Sequence, residues 1–212
     1  MTYLELKEIL LMDTPSMLLS NRYMQDELFD LIPELSKCDG FDQHSSWHQY
    51  DVLNHIYHVV DGVDNSLPLR LSALFHDIGK PATYAVEYKD GKEIGHFPKH
   101  WVKSNEIFMS FASINNIDLK TVKLVSKLIL NHDHRFKYPK GKESFEELNK
   151  DLIDSLTKEF SSDEIRMLYD LRRADLQAQI IPPNYELDYD LEENILLKKY
   201  GSKIKWKWNM SL

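Results

Sequence analysis

The chain reads as an all-α protein: a helical bundle that carries a small β-hairpin near residues 84–97 and added segments at both ends. Three observations predict this. Apolar residues recur at spacings of three and four through most of the sequence, as in Leu71, Leu74, Phe75 and Ile78. Strand-like alternation before a turn signal is confined to Tyr84, Val86 and Tyr88, ahead of Lys89-Asp90-Gly91. Breakers such as Asp13-Thr-Pro15, Gly79-Lys-Pro81 and Pro182-Pro183 punctuate the helical stretches.

Composition bounds the possibilities. With 212 residues, 42% of them hydrophobic and 28% charged, the chain can bury one good core, or a core with an added arm. The single Cys38 excludes an intramolecular disulfide and any Cys-rich zinc module, so histidines and carboxylates are the ligand stock. A net charge of −8 argues against broad nonspecific binding to nucleic acid, which depends on lysine and arginine neutralising phosphates. A nucleotide in one pocket stays possible, because bound cations would make that pocket locally positive. No basic-flanked apolar leader is evident, and no apolar run approaches the ~20 residues of a membrane span. The expectation is a soluble, cytoplasmic protein with no membrane partner and an open oligomeric state.

Residues 1–44 are expected to form a helical arm that packs on the core. Within residues 1–40, eight acids outnumber three bases, and Leu4, Leu10, Leu18, Leu28 and Leu35 supply apolar positions for two helices interrupted near Pro15. The main domain is drawn over 45–181. Its first helix begins at Asp51, a good N-cap, and Val52, His55, Ile56 and Val59 share one face, so His55 points inward and His58 does not. The central helix, from Leu69, carries His76 and Asp77 in its last turn. After the hairpin, in which Ile94 and Phe97 lie on the return strand, Pro98 suits the first turn of a helix running to about Ile114. Asp118 caps the next, where Val125, Ile129 and His132 face inward. Helices are then expected over 145–159 and 161–179, and in the second Leu168, Leu171 and Asp175 share a stripe. Residues 182–212 form an extension. Five acids crowd 186–193 and five lysines 198–212, with Trp206 and Trp208 alternating with lysines as a short strand.

His55, His132 and Asp175 are thus polar residues on inward faces of three helices, with His76-Asp77 on a fourth and His100 starting a fifth. One such histidine is usually a hydrogen-bonded core residue. Several helices that each aim a nitrogen or oxygen inward match the way bundles build metal sites in their cores. Such mixed N,O sets accept several divalent ions, among them Fe, Mn, Ni, Co, Zn and Mg.

The ordered set His55, His76-Asp77, His100, His132, Asp175 resembles the HD-domain metal-dependent phosphohydrolases. More narrowly, His48-x-x-Asp51-Val-x-x-His55, the run from Leu69 to Pro81, His96-Phe-x-x-His100-x-x-x-Ser104 and Leu171-Arg-Arg-Ala174-Asp175 look like the HD domain of bacterial CCA-adding tRNA nucleotidyltransferases. The upstream chain is too short for a nucleotidyltransferase domain, so polymerisation is not carried over. The resemblance implies one or two divalent ions: His55, His76, Asp77 and Asp175 for the first, His100 and His132 for the second, with Asp77 bridging. It implies catalytic or substrate-positioning roles for Asp77, Lys80, His48 and Asp51, and substrate contacts from Lys80, His48 and Arg172. The activity implied is hydrolysis of a nucleotide-type phosphomonoester or cyclic phosphodiester by a metal-activated water. The alternatives are an RNA 3′-end processing or repair hydrolase and a nonhydrolytic metal- or nucleotide-binding regulatory module. His96 and His134 are read as loop histidines without a role.

Overall fold

The computed structural model describes residues 1–180 and 187–201. These residues form a mostly helical protein with one two-stranded antiparallel sheet, as the periodicities predict. Contacts divide the described residues into two compact units, 1–133 with 170–180 and 134–169 with 187–201.

In the first unit, the N-terminal stretch makes three short helices, α1 (Tyr3–Leu10), α2 (Ser16–Leu19) and α3 (Arg22–Leu31), then a 3-10 turn at Pro33–Lys37. Two helices were expected. The break comes at Ser20-Asn21, where the Asn21 side chain accepts from the Tyr23 N–H and starts a new helix. Leu6 and Leu10 of α1 are buried, and α1 packs on the central helix. That helix is α5 (Leu67–Phe75), flanked by α4 (Val52–Gly62), α7 (His100–Ile114) and α8 (Leu119–Asn131). Every residue from Leu69 to Phe75 is buried, the polar Arg70 and Ser72 included.

The one-turn helix α6 (Lys80–Thr83) leads into β1 (Ala85–Lys89) and β2 (Lys92–His96). Asp90 and Gly91 both have positive φ, 53° and 76°, as a tight two-residue hairpin turn requires. Ile94 lies on the return strand, whereas Phe97 falls just beyond it. Helix α7 starts at His100 rather than at Pro98, because Lys99 at its N-cap takes a left-handed conformation.

The second unit holds α9 (Phe145–Leu148), α10 (Lys150–Glu159), the first half of α11 (Ser162–Gln177) and α12 (Tyr189–Lys198). A single helix over 145–159 was expected. Asn149 breaks it, since its amide bonds the Lys137 backbone at 2.8 and 2.9 Å and the Phe145 carbonyl at 2.8 Å. Helix α11 ends at Gln177, two residues short of expectation. In the C-terminal extension, α12 starts inside the acidic stretch and buries Ile195, Leu196 and Leu197 just beyond it. Buried Glu192 accepts hydrogen bonds from Tyr138 (2.7 Å) and Tyr169 (3.0 Å). The expected strand at Trp206 and Trp208, with the Pro182-Pro183 boundary, lies outside the described residues.

Candidate metal centre

The Asp51 carboxylate caps α4, accepting from the Asn54 N–H at 2.7 Å. This start places His55 on the face shared with Val52, Ile56 and Val59, and its ring is fully buried, while His58 is exposed. Pro81 has no N–H to offer the Asp77 carbonyl four residues back. That carbonyl takes the Lys80 N–H instead (3.0 Å), so the chain turns. His76 and Asp77 therefore sit just past the last turn of α5, not within it as expected. His132 likewise follows the end of α8, whereas His100 opens α7.

These elements bring six side chains together. His55 Nε2 lies 3.0 Å from Asp175 Oδ1, 3.3 Å from Asp77 Oδ2 and 3.4 Å from His76 Nε2, and His76 Nε2 is 3.3 Å from Asp77 Oδ2. On the other side of the same carboxylate, Asp77 Oδ1 lies 3.1 Å from His100 Nε2 and 3.7 Å from His132 Nε2, which are 3.2 Å apart. Two ligand groups result: His55, His76, Asp77 and Asp175, and Asp77, His100 and His132. Each oxygen of Asp77 serves one group.

The donor chemistry fits a metal. A backbone carbonyl only accepts, so His76 Nδ1 donates to Ala73 (2.7 Å), His100 Nδ1 to Phe97 (3.0 Å) and His132 Nδ1 to Ile129 (2.7 Å). In a neutral imidazole the other nitrogen then carries a lone pair, here Nε2, which faces the cluster. The lone pairs of His100 and His132 meet at 3.2 Å, where they repel unless a cation takes them up. Spacings near 3 Å are those of neighbouring ligands around an ion bound at about 2.0–2.1 Å. His55 Nδ1 has no hydrogen-bond partner, so carbonyls do not set its tautomer.

Electrostatics agree. Burial pulls the His55 imidazole down, but hydrogen bonds to Asp175 and Asp77 outweigh it and hold the pKa at about 9. Burial would raise Asp175 and Asp77. Their imidazole neighbours, and Lys80 for Asp77, hold both carboxyls well below the usual range. Burial lowers His76 in spite of Asp77.

The family model described as HD domain matches residues 47–179, more than half of the chain. The chain belongs to the HD domain family. HD domains bind divalent metals and form a superfamily of metal-dependent phosphohydrolases, generally hydrolases by activity. No curated protein matches the chain. No helix among the described residues is long and apolar enough to cross a membrane.

The remaining candidates fall differently around this HD centre. Lys80 is buried, with its ammonium 2.6 Å from Asp77 Oδ2, 2.8 Å from Gln43 Oε1 and 5.4 Å from the centre of the Phe97 ring. It was expected to meet a phosphate, and here its ammonium pairs with the Asp77 carboxylate. His48 stands edge-on to His55 at 5.7 Å, and burial lowers its pKa to about 4. Its Nδ1 is buried without a partner. The Asp51 oxygens are taken by Asn54 and by the Gly40 N–H at 3.1 Å, so its work here is to cap α4. Arg172 is buried and donates to the His132 carbonyl at 3.4 Å, bracing a cluster histidine instead of offering an open surface to substrate. His96 and His134 lie outside both ligand groups, paired with Glu87 and with the Tyr169 hydroxyl. Sequence reasoning missed Gln43, which ties Lys80 to the loop before α4. Nothing periodic marks it, and its partner is 37 residues away.

Proposed function

We propose that this HD domain hydrolyses a nucleotide-type phosphomonoester or cyclic phosphodiester at a two-ion centre. His55, His76, Asp77 and Asp175 would hold one divalent ion, and His100 and His132 a second, with Asp77 common to both. The observation that carries the reading is the division of Asp77: each oxygen faces its own imidazole pair. Two divalent ions would supply a water of lowered pKa and charge balance for the phosphoryl oxygens.

The chain's own groups do the rest. Backbone carbonyls hold three imidazoles with Nε2 presented to the centre. Burial removes competing water and strengthens each charge contact. Lys80 carries a compact positive charge beside the bridging carboxylate, suited to a phosphate as a point charge. Hydrolysis of a panel of nucleotides, tested with Mn, Mg, Ni or Co, checks the proposal. Bound ions without turnover of any ester would leave the regulatory-module alternative.

A second reading, trimming or repair of RNA 3′ ends, rests on the motif likeness to the HD domain of CCA-adding enzymes. An RNA ending in a 3′ or cyclic phosphate belongs in the same panel. Preference for it over mononucleotides would select this reading.

A further inference from the structure

Four rings gather in one cluster, and one of them, Phe97, lies under the Lys80 ammonium. Phe41, Tyr84 and Phe97 lie with centroids 5.4, 5.6 and 6.4 Å apart, and His44 tilts 32° from Tyr84 at 5.9 Å. Packing under a hairpin would be a sufficient role if the rings were buried, but Phe41, Tyr84 and Phe97 are only half-buried and His44 is exposed. Their positions are fixed from several sides. The Gly95 N–H bonds the His44 carbonyl at 3.1 Å, and Gly95 lies so close to the Gln43 carbonyl that any Cβ would strike it. Gln43 donates to the Tyr50 carbonyl at 3.2 Å and accepts from Lys80. The Tyr84 hydroxyl donates to Glu93 at 2.6 Å. Lys80 touches both sides, with one contact to Asp77 and one to the face of Phe97.

We propose that Phe41, Tyr84, Phe97 and His44 form a stacking subsite for the base of a nucleotide whose phosphate lies toward Asp77 and Lys80, an assignment that rests on the hydrolase reading above. Flat π-faces take any base, whatever its hydrogen-bonding edge. Glu93 and Asp42, 3.8 and 3.9 Å from the His44 ring, set the orientation. These carboxylates accept from base or sugar donors and repel a phosphate, which leaves the cationic end for the phosphoryl group.

The test is equilibrium binding to the full chain with Mn²⁺. The probes are a nonhydrolysable phosphonate analogue of adenosine monophosphate and a ribose phosphonate of the same charge. A stacked base is worth about 5- to 150-fold in affinity, so the wild type should prefer the nucleoside probe by at least fivefold. Tyr84→Leu and, at an exposed position whose φ of 45° asparagine tolerates, His44→Asn should each erode that preference. Equal affinities in the wild type, or a preference that survives both substitutions, would overturn the subsite. Turnover of the natural esters is scored separately. A preference without hydrolysis removes the hydrolase reading and keeps the subsite, and hydrolysis without a preference does the reverse.

Discussion

Gly79→Ala tests whether the fold and the metal centre share one contact. Gly79 has an ordinary φ of −80°, so the backbone conformation does not demand glycine. Space does. A Cβ there would lie 2.6 Å from the His100 carbonyl oxygen, 2.6 Å from the Ser104 nitrogen and 2.9 Å from Lys103 Cβ, all in the first turns of α7. Ordinary contact needs about 3.5 Å, so the start of α7 must retreat by roughly 1 Å. His100 travels with it, and its 3.1 Å approach to Asp77 Oδ1 opens to roughly 4 Å, near the limit for two ligands of one ion bound at about 2.0–2.1 Å. The 2.9 Å bond from the Gly79 N–H to the Ser104 hydroxyl loosens as well. Overpacking of this kind costs about 1–3 kcal/mol and the weakened hydrogen bond about 1 kcal/mol. For a chain of this length that corresponds to a melting temperature lower by roughly 4–16 °C.

The assay pairs thermal melting with metal stoichiometry after loading with Mn²⁺. The variant should melt earlier and hold the ion of the His55, His76, Asp77 and Asp175 group while losing that of the His100 and His132 group. Gly141→Ala is the control, because its Cβ would meet nothing within 4 Å. A Gly79→Ala protein that melts within a degree of wild type and binds the same number of ions would refute the reasoning.

Asp77→Ala should lose both ions, since one carboxylate serves both groups, and elemental analysis finding wild-type metal in the folded variant would remove Asp77 from the site. Metal affinity should rise with pH up to about 9. His55, held up by its carboxylates, keeps a proton below that value, and an ion must displace it. Calorimetry at pH 7 in buffers of different ionisation enthalpy should show proton release, and an affinity flat from pH 6 to 8 would contradict it. Leu196→Ala, at a fully buried position of α12, should cost about 2–5 kcal/mol in urea unfolding, and a loss below 1 kcal/mol would show that α12 is not part of a packed core.

What could be read from the sequence tracks how local the cause is. The inward faces of α4 and α8 follow from 3.6-residue periodicity, and Asp51 and Asp118 cap those helices through contacts three residues away. The hairpin turn needed only Asp90-Gly91. Helix α12 was missed because five acids in 186–193 dominate its composition. The usable signal was smaller: Asp188 caps the N–H of Leu191, and Ile195 and Leu196 follow at helical spacing. Gln43 and Arg172 were beyond local rules, for their roles depend on Lys80 and His132, which the chain brings back from 37 and 40 residues away.

The placement of the histidines has a cause in helix chemistry. The last carbonyls of a helix have no N–H partner within it. His76 and His132 stand just past the ends of α5 and α8, and each gives its Nδ1–H to the carbonyl three residues back. One bond thus satisfies an orphan acceptor and fixes which nitrogen faces the cluster. Both helix ends also present the negative pole of their dipole, which favours a cation there. His55 lies inside α4, where the ladder already uses the carbonyls, so its Nδ1 finds no partner. Nothing from the backbone stops it from placing a proton on Nε2, between Asp77 and Asp175. Without an ion, then, His55 holds a proton between the two carboxylates, in addition to the Lys80 ammonium beside Asp77, and this is the proton whose release the calorimetry measures.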